Sequence, residues 1–542
     1  MPSVANFLKE RMINAGIGVV FGVPGDYILS MFKKMEDDPD IDLVGTTDES
    51  HAGFAADAYA RVHGIGCVCV TYNVGSLKTL NSIAGAYAER SPVVVLVGSP
   101  GIKERTEGML LHHTVRDFDT QREIFSNITC ASAVLDNPAT AAYEIDRVFE
   151  AIKHHKQPVY IELPRDVADK PIGYDVEQGT PKTPTSDPIN LGEAIAEVTQ
   201  WVEESKNPVI LAGVELSRFG LGEELVKWAE KTNVPMFTEM LSKSTVGERH
   251  PLFGGVYSGA AAPQHVKDMV EQSDCILMLG VMLTDMVLGS AKPNFALRQT
   301  VRANVGCLKV RNHNYSDIVF PEFCSKLFQS QVTKKPSPVV YKKGVPKPFE
   351  VAEGNPKIKT QRFFEKIDSI ISKNTAIITD VGDCMFGAMD LTVSHANTFI
   401  SPAYYTSMGM AIPAALGVSL AQPETRPIVL VGDGAFQMSF SEISTLVRRN
   451  LNPIIFVLNN KGYTTERFIL DGKFNDIHNW DYHYATMVFG GEGHYVETEK
   501  ELEDAVNSAF KSKVATIINV VVEPKDITPA LSRVTAGLAS RV

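Results

Sequence analysis

The sequence predicts an α/β protein of three doubly wound domains, each built on a parallel sheet. Three observations predict it. Short apolar runs of strand length alternate with stretches of helical periodicity along the whole chain, the pattern of strand–helix–strand units whose helices cover both faces of a parallel sheet. Two proline-rich, poorly periodic stretches, roughly 171–188 and 331–357, interrupt that alternation. At 542 residues the chain is also too long for one hydrophobic core.

The elements follow in order. The first segment has apolar runs at 67–72, 93–97 and 159–163. The linker after it carries Pro171, Pro181, Pro184 and Pro188. The middle segment has runs at 209–212 and 276–279 and no chemical signature, and reads as structural or regulatory. The second linker carries Pro336, Pro338, Pro346, Pro348 and Pro356 among many lysines. The last segment has runs at 376–378, 428–431, 454–458 and 516–522. Near its end Thr528-Pro529 reads as an N-cap followed by proline at the first helical position. The first and last segments echo each other. One reads strand, Asn73-Val74-Gly75, helix, Ser91-Pro92, strand; the other reads strand, Gly432-Asp433-Gly434, helix, Asn452-Pro453, strand.

Composition narrows the function. Hydrophobic residues make up 44% and charged residues 21%, an ordinary globular balance. A formal charge of −12 argues against binding a phosphate backbone or an anionic membrane surface. The seven cysteines are scattered, with no CxxC pair, so neither a zinc site nor a redox dithiol is indicated and a reducing, cytoplasmic setting is expected. The start, MPSVANFLKERMINAG, is an amphipathic helix pattern without a signal-peptide core, and no apolar run reaches the roughly 18 residues that span a bilayer.

The most informative pair is Asp433 and Asn460. Each ends an apolar strand of one strand–helix–strand unit, so two oxygen side chains arrive at neighbouring strand ends. A hard cation such as Mg²⁺ takes few protein oxygens and completes its octahedron with phosphate and water. Gly432 and Gly434 let backbone approach phosphate. Glu49 is a second candidate. It opens a helix rich in small residues over 50–62, and Thr46-x-x-Glu49 by itself fits a capping box.

The string Glu49-x-x-Ala52-Gly53-Phe54-Ala55-Ala56-Asp57-Ala58-Tyr59-Ala60-Arg61 and the Asp433/Asn460 motif together resemble the thiamine diphosphate (ThDP)-dependent 2-oxo acid decarboxylases of the pyruvate, indolepyruvate and phenylpyruvate group. The resemblance covers essentially the full length. It implies a pyrimidine-binding domain (1–172), a middle domain (189–332) and a diphosphate- and Mg-binding domain (357–542). It also implies homodimers or homotetramers with active sites between subunits, and a small 2-oxo acid as substrate.

Site residues follow from the same resemblance. Glu49 is the glutamate bonded to the cofactor's pyrimidine ring. Phe21-Gly22-Val23-Pro24-Gly25-Asp26 is similar to a loop bearing a catalytic aspartate, so Asp26 takes that role; outside the family it would read as a turn residue. Leu110-Leu111-His112-His113-Thr114 is similar to a catalytic histidine pair. His154-His155 is an internal control, read as structural and cationic at a helix C-terminus. In Asn460-Lys461-Gly462-Tyr463-Thr464-Thr465-Glu466 the Gly462 carbonyl is a third metal ligand after Asp433 and Asn460, and Glu466 is a catalytic acid. Gly432, Asp433, Gly434, Ala435, Asn460, Gly462 and Tyr463 hold the diphosphate end. Met408, otherwise an ordinary core methionine, is the apolar wedge behind the cofactor. The Thr406 carbonyl accepts from the cofactor's amino group, and Asp383 approaches the cofactor.

Met385 matches a position lining the substrate pocket, and Thr465 is small for its position. Both favour aromatic or long aliphatic 2-oxo acids over pyruvate. The alternatives are a pyruvate decarboxylase and a carboligase of the acetolactate synthase type, against which the histidine pair and Glu466 argue. A non-catalytic ThDP-binding paralogue would lack polar groups that this chain carries. A nicotinamide dehydrogenase would need a GxGxxG after a strand, which does not occur.

Overall fold

The computed structural model describes residues 1–106, 108–173, 181–288, 294–336, 347–393, 395 and 398–538. Within the two linkers, residues 174–180 and 337–346, with Pro338 and Pro346, lie outside the described residues. The chain forms two compact units. One comprises Met1–Thr183, Ser407–Glu424 and Ser439–Leu451; the other comprises Pro184–Thr406, Thr425–Met438 and Asn452–Val542.

The first unit is built on six parallel strands: β1 (Val19–Gly22), β2 (Asp42–Gly45), β3 (Gly66–Val70), β4 (Val93–Ser99), β5 (Ala131–Val134) and β6 (Val159–Pro164), in the order β2-β1-β3-β4-β6-β5. β3, β4 and β6 are buried along their whole length because both faces are covered, and apart from Glu162 on β6 and Ser99 at the end of β4 they are apolar. Cys67, Cys69, Val94, Leu96, Val159 and Ile161 point to one core, shared with the Val4–Asn14 and Ala141–His155 helices. The Glu49–His63 helix packs on the sheet and against the Ala411–Ala421 helix. A Cβ at Gly417 would stand 2.2 Å from the Ala55 carbonyl oxygen, so glycine is required where these two helices cross. The small residues of the Glu49–His63 helix serve that close packing.

The second unit holds two sheets. The middle one has seven strands: β7 (Pro208–Ala212), β8 (Met236–Thr238), β9 (Phe253–Val256), β10 (Cys275–Leu279), β11 (Thr300–Asn304), β12 (Cys307–Val310) and β13 (His313–Tyr315), ordered β13-β12-β11-β10-β7-β8-β9. It corrects the expectation of a wholly parallel sheet. β11–β12 and β12–β13 are antiparallel, because Asn304 pairs with Cys307 and Val310 with His313 across two-residue turns. So short a loop cannot make the crossover a parallel pair needs. The other sheet is parallel throughout: β14 (Thr375–Thr379), β15 (Phe399–Ile400), β16 (Arg426–Gly432), β17 (Ile454–Asn459), β18 (Glu492–Val496) and β19 (Thr516–Val521), ordered β15-β14-β16-β17-β19-β18.

Counted within each sheet, the first and last have one strand order: second, first, third, fourth, sixth, fifth. The sequence echo is therefore a repeat of topology. Asn73-Val74-Gly75 and Gly432-Asp433-Gly434 both follow the third strand.

Two local expectations are corrected. Asp48, not Thr46, caps the Glu49–His63 helix: its Oδ1 accepts from the Ser50 amide at 2.9 Å, while Thr46 Oγ1 donates to the Asp48 carbonyl. The Thr46/Glu49 capping box does not form. His154-His155 does end a helix, but His155 is half-buried, and burial with help from His154 and Arg90 pushes its pKa down rather than favouring a cation. Thr528 caps as expected, its Oγ1 accepting from Leu531 N at 3.1 Å ahead of the Pro529–Leu538 helix.

Candidate active site

The polar candidates cluster in segments after the carboxyl ends of parallel strands, where doubly wound sheets bind ligands. In the first unit Asp26 follows β1, Glu49 follows β2 and His112-His113 follows β4. Asp26, His112 and His113 converge: one ligating atom from each lies within 4.8 Å of the others. His112 Nε2 is 3.0 Å from Asp26 Oδ2, and its Nδ1 is 3.2 Å from the Tyr27 hydroxyl. The Tyr27 ring also stacks on His112 at 4.6 Å. Arg165 stands 3.7 Å from Asp26 and adds positive charge. Two imidazoles and a carboxylate could ligate a transition metal, but with a guanidinium beside the only acid the set is better suited to moving protons.

His113 is held through its backbone. It has φ 67°, outside the usual range for a side-chain-bearing residue. Its carbonyl accepts from Asn73 Nδ2 at 2.7 Å. Asn73 is itself buried at φ 49°, and its amide donates to Gln121 Oε1 at 2.6 Å. Gln121 in turn donates to the Tyr160 hydroxyl, which donates to Glu162 on β6. A buried polar chain thus ties the histidine loop to the sheet.

Glu49 opens its helix with one carboxylate oxygen over Gly75, where an added Cβ would come within 3.2 Å. Its other oxygen is 2.8 Å from Lys78 Nζ. Met408 is half-buried just before the Ala411–Ala421 helix, and the neighbouring Ser407 hydroxyl accepts from Asn81 at 2.6 Å. These lie in the same unit as Glu49.

In the second unit Asp433 follows β16 and Asn460 follows β17, and the two strands are paired neighbours with Gly432 opposite Leu458. Asp433 is 1% exposed; its carboxylate accepts from Gly434 N at 2.8 Å and Gly462 N at 3.0 Å. Burial pushes its pKa up to about 6, against the pull of the Gly434, Gly462 and Lys461 amides and Arg467. Asn460 is buried, and its Oδ1 has no hydrogen-bond partner. Buried oxygens are seldom left so. A cation would neutralise the first and ligate the second, so the residues fit Mg²⁺. The Gly462 carbonyl accepts from Thr464 N at 3.0 Å and keeps a second lone pair. Gly462 has φ 140°, and a Cβ there would strike the Asn475 carbonyl oxygen at 2.1 Å. At Gly434 an added Cβ would sit 2.5 Å from the Tyr463 ring. At Gly432 it would meet nothing within 4 Å, which leaves the open backbone a phosphate group requires. Ala435 is buried in the following turn.

The remaining candidates sit differently. Thr406, a β-branched residue at φ 56°, is a backbone outlier of the kind found where a carbonyl must be aimed. Asp383 is 5% exposed and engages the last helix: it accepts from Thr528 N at 3.1 Å and from the Thr528 hydroxyl at 2.5 Å. Met385 is not at an open wall. It is fully buried in a cluster with Met240, Met389, Ala530 and Leu531. Thr465 is half-buried, 3.6 Å from where a Gly382 Cβ would stand, and Glu466 is exposed in the Thr464–Ile469 helix.

Comparison with known proteins joins these observations. The thiamine pyrophosphate enzyme N-terminal TPP binding domain matches residues 2–122, the central domain 195–314 and the C-terminal TPP binding domain 380–520. A probable pyruvate decarboxylase of Schizosaccharomyces pombe is 32% identical, over 98% of this chain and 95% of its own. The chain belongs to the thiamine diphosphate-dependent 2-oxo acid decarboxylases. An indole-3-pyruvate decarboxylase of Azospirillum brasilense is also 32% identical, over 94% of this chain and 93% of its own. A solved ThDP-dependent 4-hydroxybenzoylformate decarboxylase of Rhodococcus jostii RHA1 has the same fold, with TM-score 0.80 over 96% of this chain and 20% identity.

The structure of this decarboxylase adds residues that sequence reasoning missed. Tyr27, Arg165, Asn73, Gln121 and Lys78 all touch a candidate residue or its support. Asn73 had a usable signal, since asparagine in a turn after a strand suits positive φ. Lys78 and Arg165 had none, because their partners Glu49 and Asp26 lie far off in sequence.

Proposed function

We propose that the decarboxylase converts 2-oxo acids to aldehydes and CO₂ with ThDP and Mg²⁺, and that it favours aromatic or long aliphatic substrates over pyruvate. The observation that carries the reaction is the Asp26–His112–His113 cluster, a set of proton-transfer groups within 4.8 Å that a carboligase of the acetolactate synthase type does not need. ThDP, when bound, supplies the electron sink. Asp433, Asn460 and the Gly462 carbonyl would hold Mg²⁺, and the backbone of Gly432, Gly434 and Ala435 with Tyr463 would receive the diphosphate. Glu49 would exchange a proton with the pyrimidine ring, Thr406 and Met408 would align the cofactor, and Asp383 would brace the segment that approaches it.

His112 is poised between Asp26 and Tyr27, so a proton can rest on either ring nitrogen. With His113 and Glu466 it delivers protons to the reacting carbon and its oxygen. Asp26, His112, His113 and Glu466 are exposed in the single chain, and so are the apolar Met109 and Leu110 beside the histidines. A second copy of the chain covering these residues would exclude water, which supports homodimers or homotetramers. Seven free thiols fit a reducing, cytoplasmic setting, and the domain division 1–172, 189–332 and 357–542 stands as part of this reading.

The small Thr465 supports the large-substrate preference. Pyruvate is the second reading, favoured by one observation: Met385 is packed in a core, which removes one of the two residues arguing for a roomy pocket. Comparing kcat/KM for phenylpyruvate and pyruvate decides. A preference for phenylpyruvate of about tenfold or more is expected, the scale of a well-filled apolar pocket; a strong pyruvate preference overturns it.

A further inference from the structure

One charged group beside Glu49 has no part in the proton transfers. Lys78 lies in the short Ser76–Thr79 helical turn that follows Asn73-Val74-Gly75. Its ammonium bridges two adjacent carboxylates, Asp48 and Glu49, with Glu49 Oε2 at 2.8 Å. The three side chains are 48%, 27% and 14% exposed in the order Lys78, Asp48, Glu49, so the lysine reaches in from solvent over the more deeply set glutamate. Asp48 divides its oxygens: Oδ1 takes the Ser50 amide and hydroxyl as helix N-cap, and Oδ2 takes Lys78. Both ion pairs raise the Lys78 pKa. For Asp48, burial pushes upward, but the Lys78 and Ser50 bonds outweigh it and hold the carboxyl below its usual value.

This arrangement opposes what Glu49 must do. A carboxylate that shares a proton with a ring nitrogen has to accept that proton. An ammonium 2.8 Å away occupies one of the two oxygens that could take it. Lys78 must therefore release Glu49 when the ring arrives, and it already has a second anchor in Asp48. Because Asp48 is fixed by its capping bonds, the lysine can leave Glu49 without being lost to solvent.

We propose that Lys78 is a positioning residue that seats Glu49 over Gly75 before the cofactor binds and then yields it to the pyrimidine ring while Asp48 retains the lysine. The inference rests on the reading that Glu49 meets that ring. Binding ThDP then costs the Glu49–Lys78 contact and weakens as that contact strengthens.

The test is calorimetric titration of metal-loaded, cofactor-free protein with ThDP, which gives affinity. Lys78→Met is expected to bind ThDP about three- to fivefold tighter, the size of a half-exposed ion pair, whereas loss of a merely structural lysine would weaken binding. Asp48→Asn keeps the cap but removes the second anchor, and is expected to bind about three- to fivefold weaker. Lys78→Arg, which keeps the ion pair, is expected to restore wild-type affinity. Equal or weaker affinity in Lys78→Met than in wild type overturns the proposal. If Lys78→Met does not fold, Asp48→Asn decides alone, and wild-type affinity there overturns it. Glu49→Gln separates the layers. Loss of its turnover beside an unchanged Lys78→Met condemns only the role of Lys78, whereas normal Glu49→Gln turnover condemns the reading of Glu49.

Discussion

Glu49 and His113 are held in different ways, and the difference sets what substitution does. Glu49 acts through its own carboxylate, so Glu49→Gln keeps shape and should abolish turnover while circular dichroism and melting stay as in wild type; retained activity contradicts the assignment. His113 is placed by its neighbours. Asn73→Gly keeps the left-handed backbone and the amide bond to Gln121 but removes the side-chain bond to the His113 carbonyl. A kcat loss of about tenfold, the worth of ~1.4 kcal/mol in barrier, is expected with KM and melting little changed. A variant that loses stability but not kcat would make Asn73 merely structural.

The Asp383–Met389 helix and the Pro529–Leu538 helix are joined by one buried carboxylate. Burial raises the Asp383 pKa to about 6, against its bonds from Thr528 and with Asp526 adding to the rise. An unfolded chain loses that proton near pH 4, about 3.9 for a free aspartate. Between pH 4 and 6 the native state therefore binds more proton than the unfolded state, and stability falls as pH rises through that window. Asp383→Asn removes this slope. The variant should gain on wild type by on the order of 2–3 kcal/mol between pH 4 and 6.5, read as urea midpoints of cofactor-free protein. A gain that does not change with pH would mean that the Asp383 proton is not its source. The middle sheet shows a different limit: its antiparallel strands β11, β12 and β13 carry Arg302, Lys309, His313 and Asn314, so they do not stand out as the apolar runs at 209–212 and 276–279 do.

The chain as a whole uses one strand order twice. In the first sheet Asp26, Glu49, Asn73 and His112 follow the first four strands; in the last, Asp383, Met408, Asp433 and Asn460 do. The strand runs and the motif after each were legible because parallel strands buried on both faces read as unbroken apolar segments. The polar supports were not, since Gln121 meets Asn73, and Lys78 meets Glu49, only after folding. Metal removal tests the Asp433 and Asn460 half: EDTA-treated protein should lose ThDP on gel filtration, and retained cofactor would contradict it. The reaction itself is tested most directly by reconstituting cofactor-free protein with ThDP and Mg²⁺ and measuring CO₂ and product from phenylpyruvate, indolepyruvate, branched-chain 2-oxo acids and pyruvate. The expected result is aldehyde in equal amount to CO₂, fastest with the large substrates. Acetolactate or acetoin as the main product, or no CO₂ from any 2-oxo acid, would contradict it.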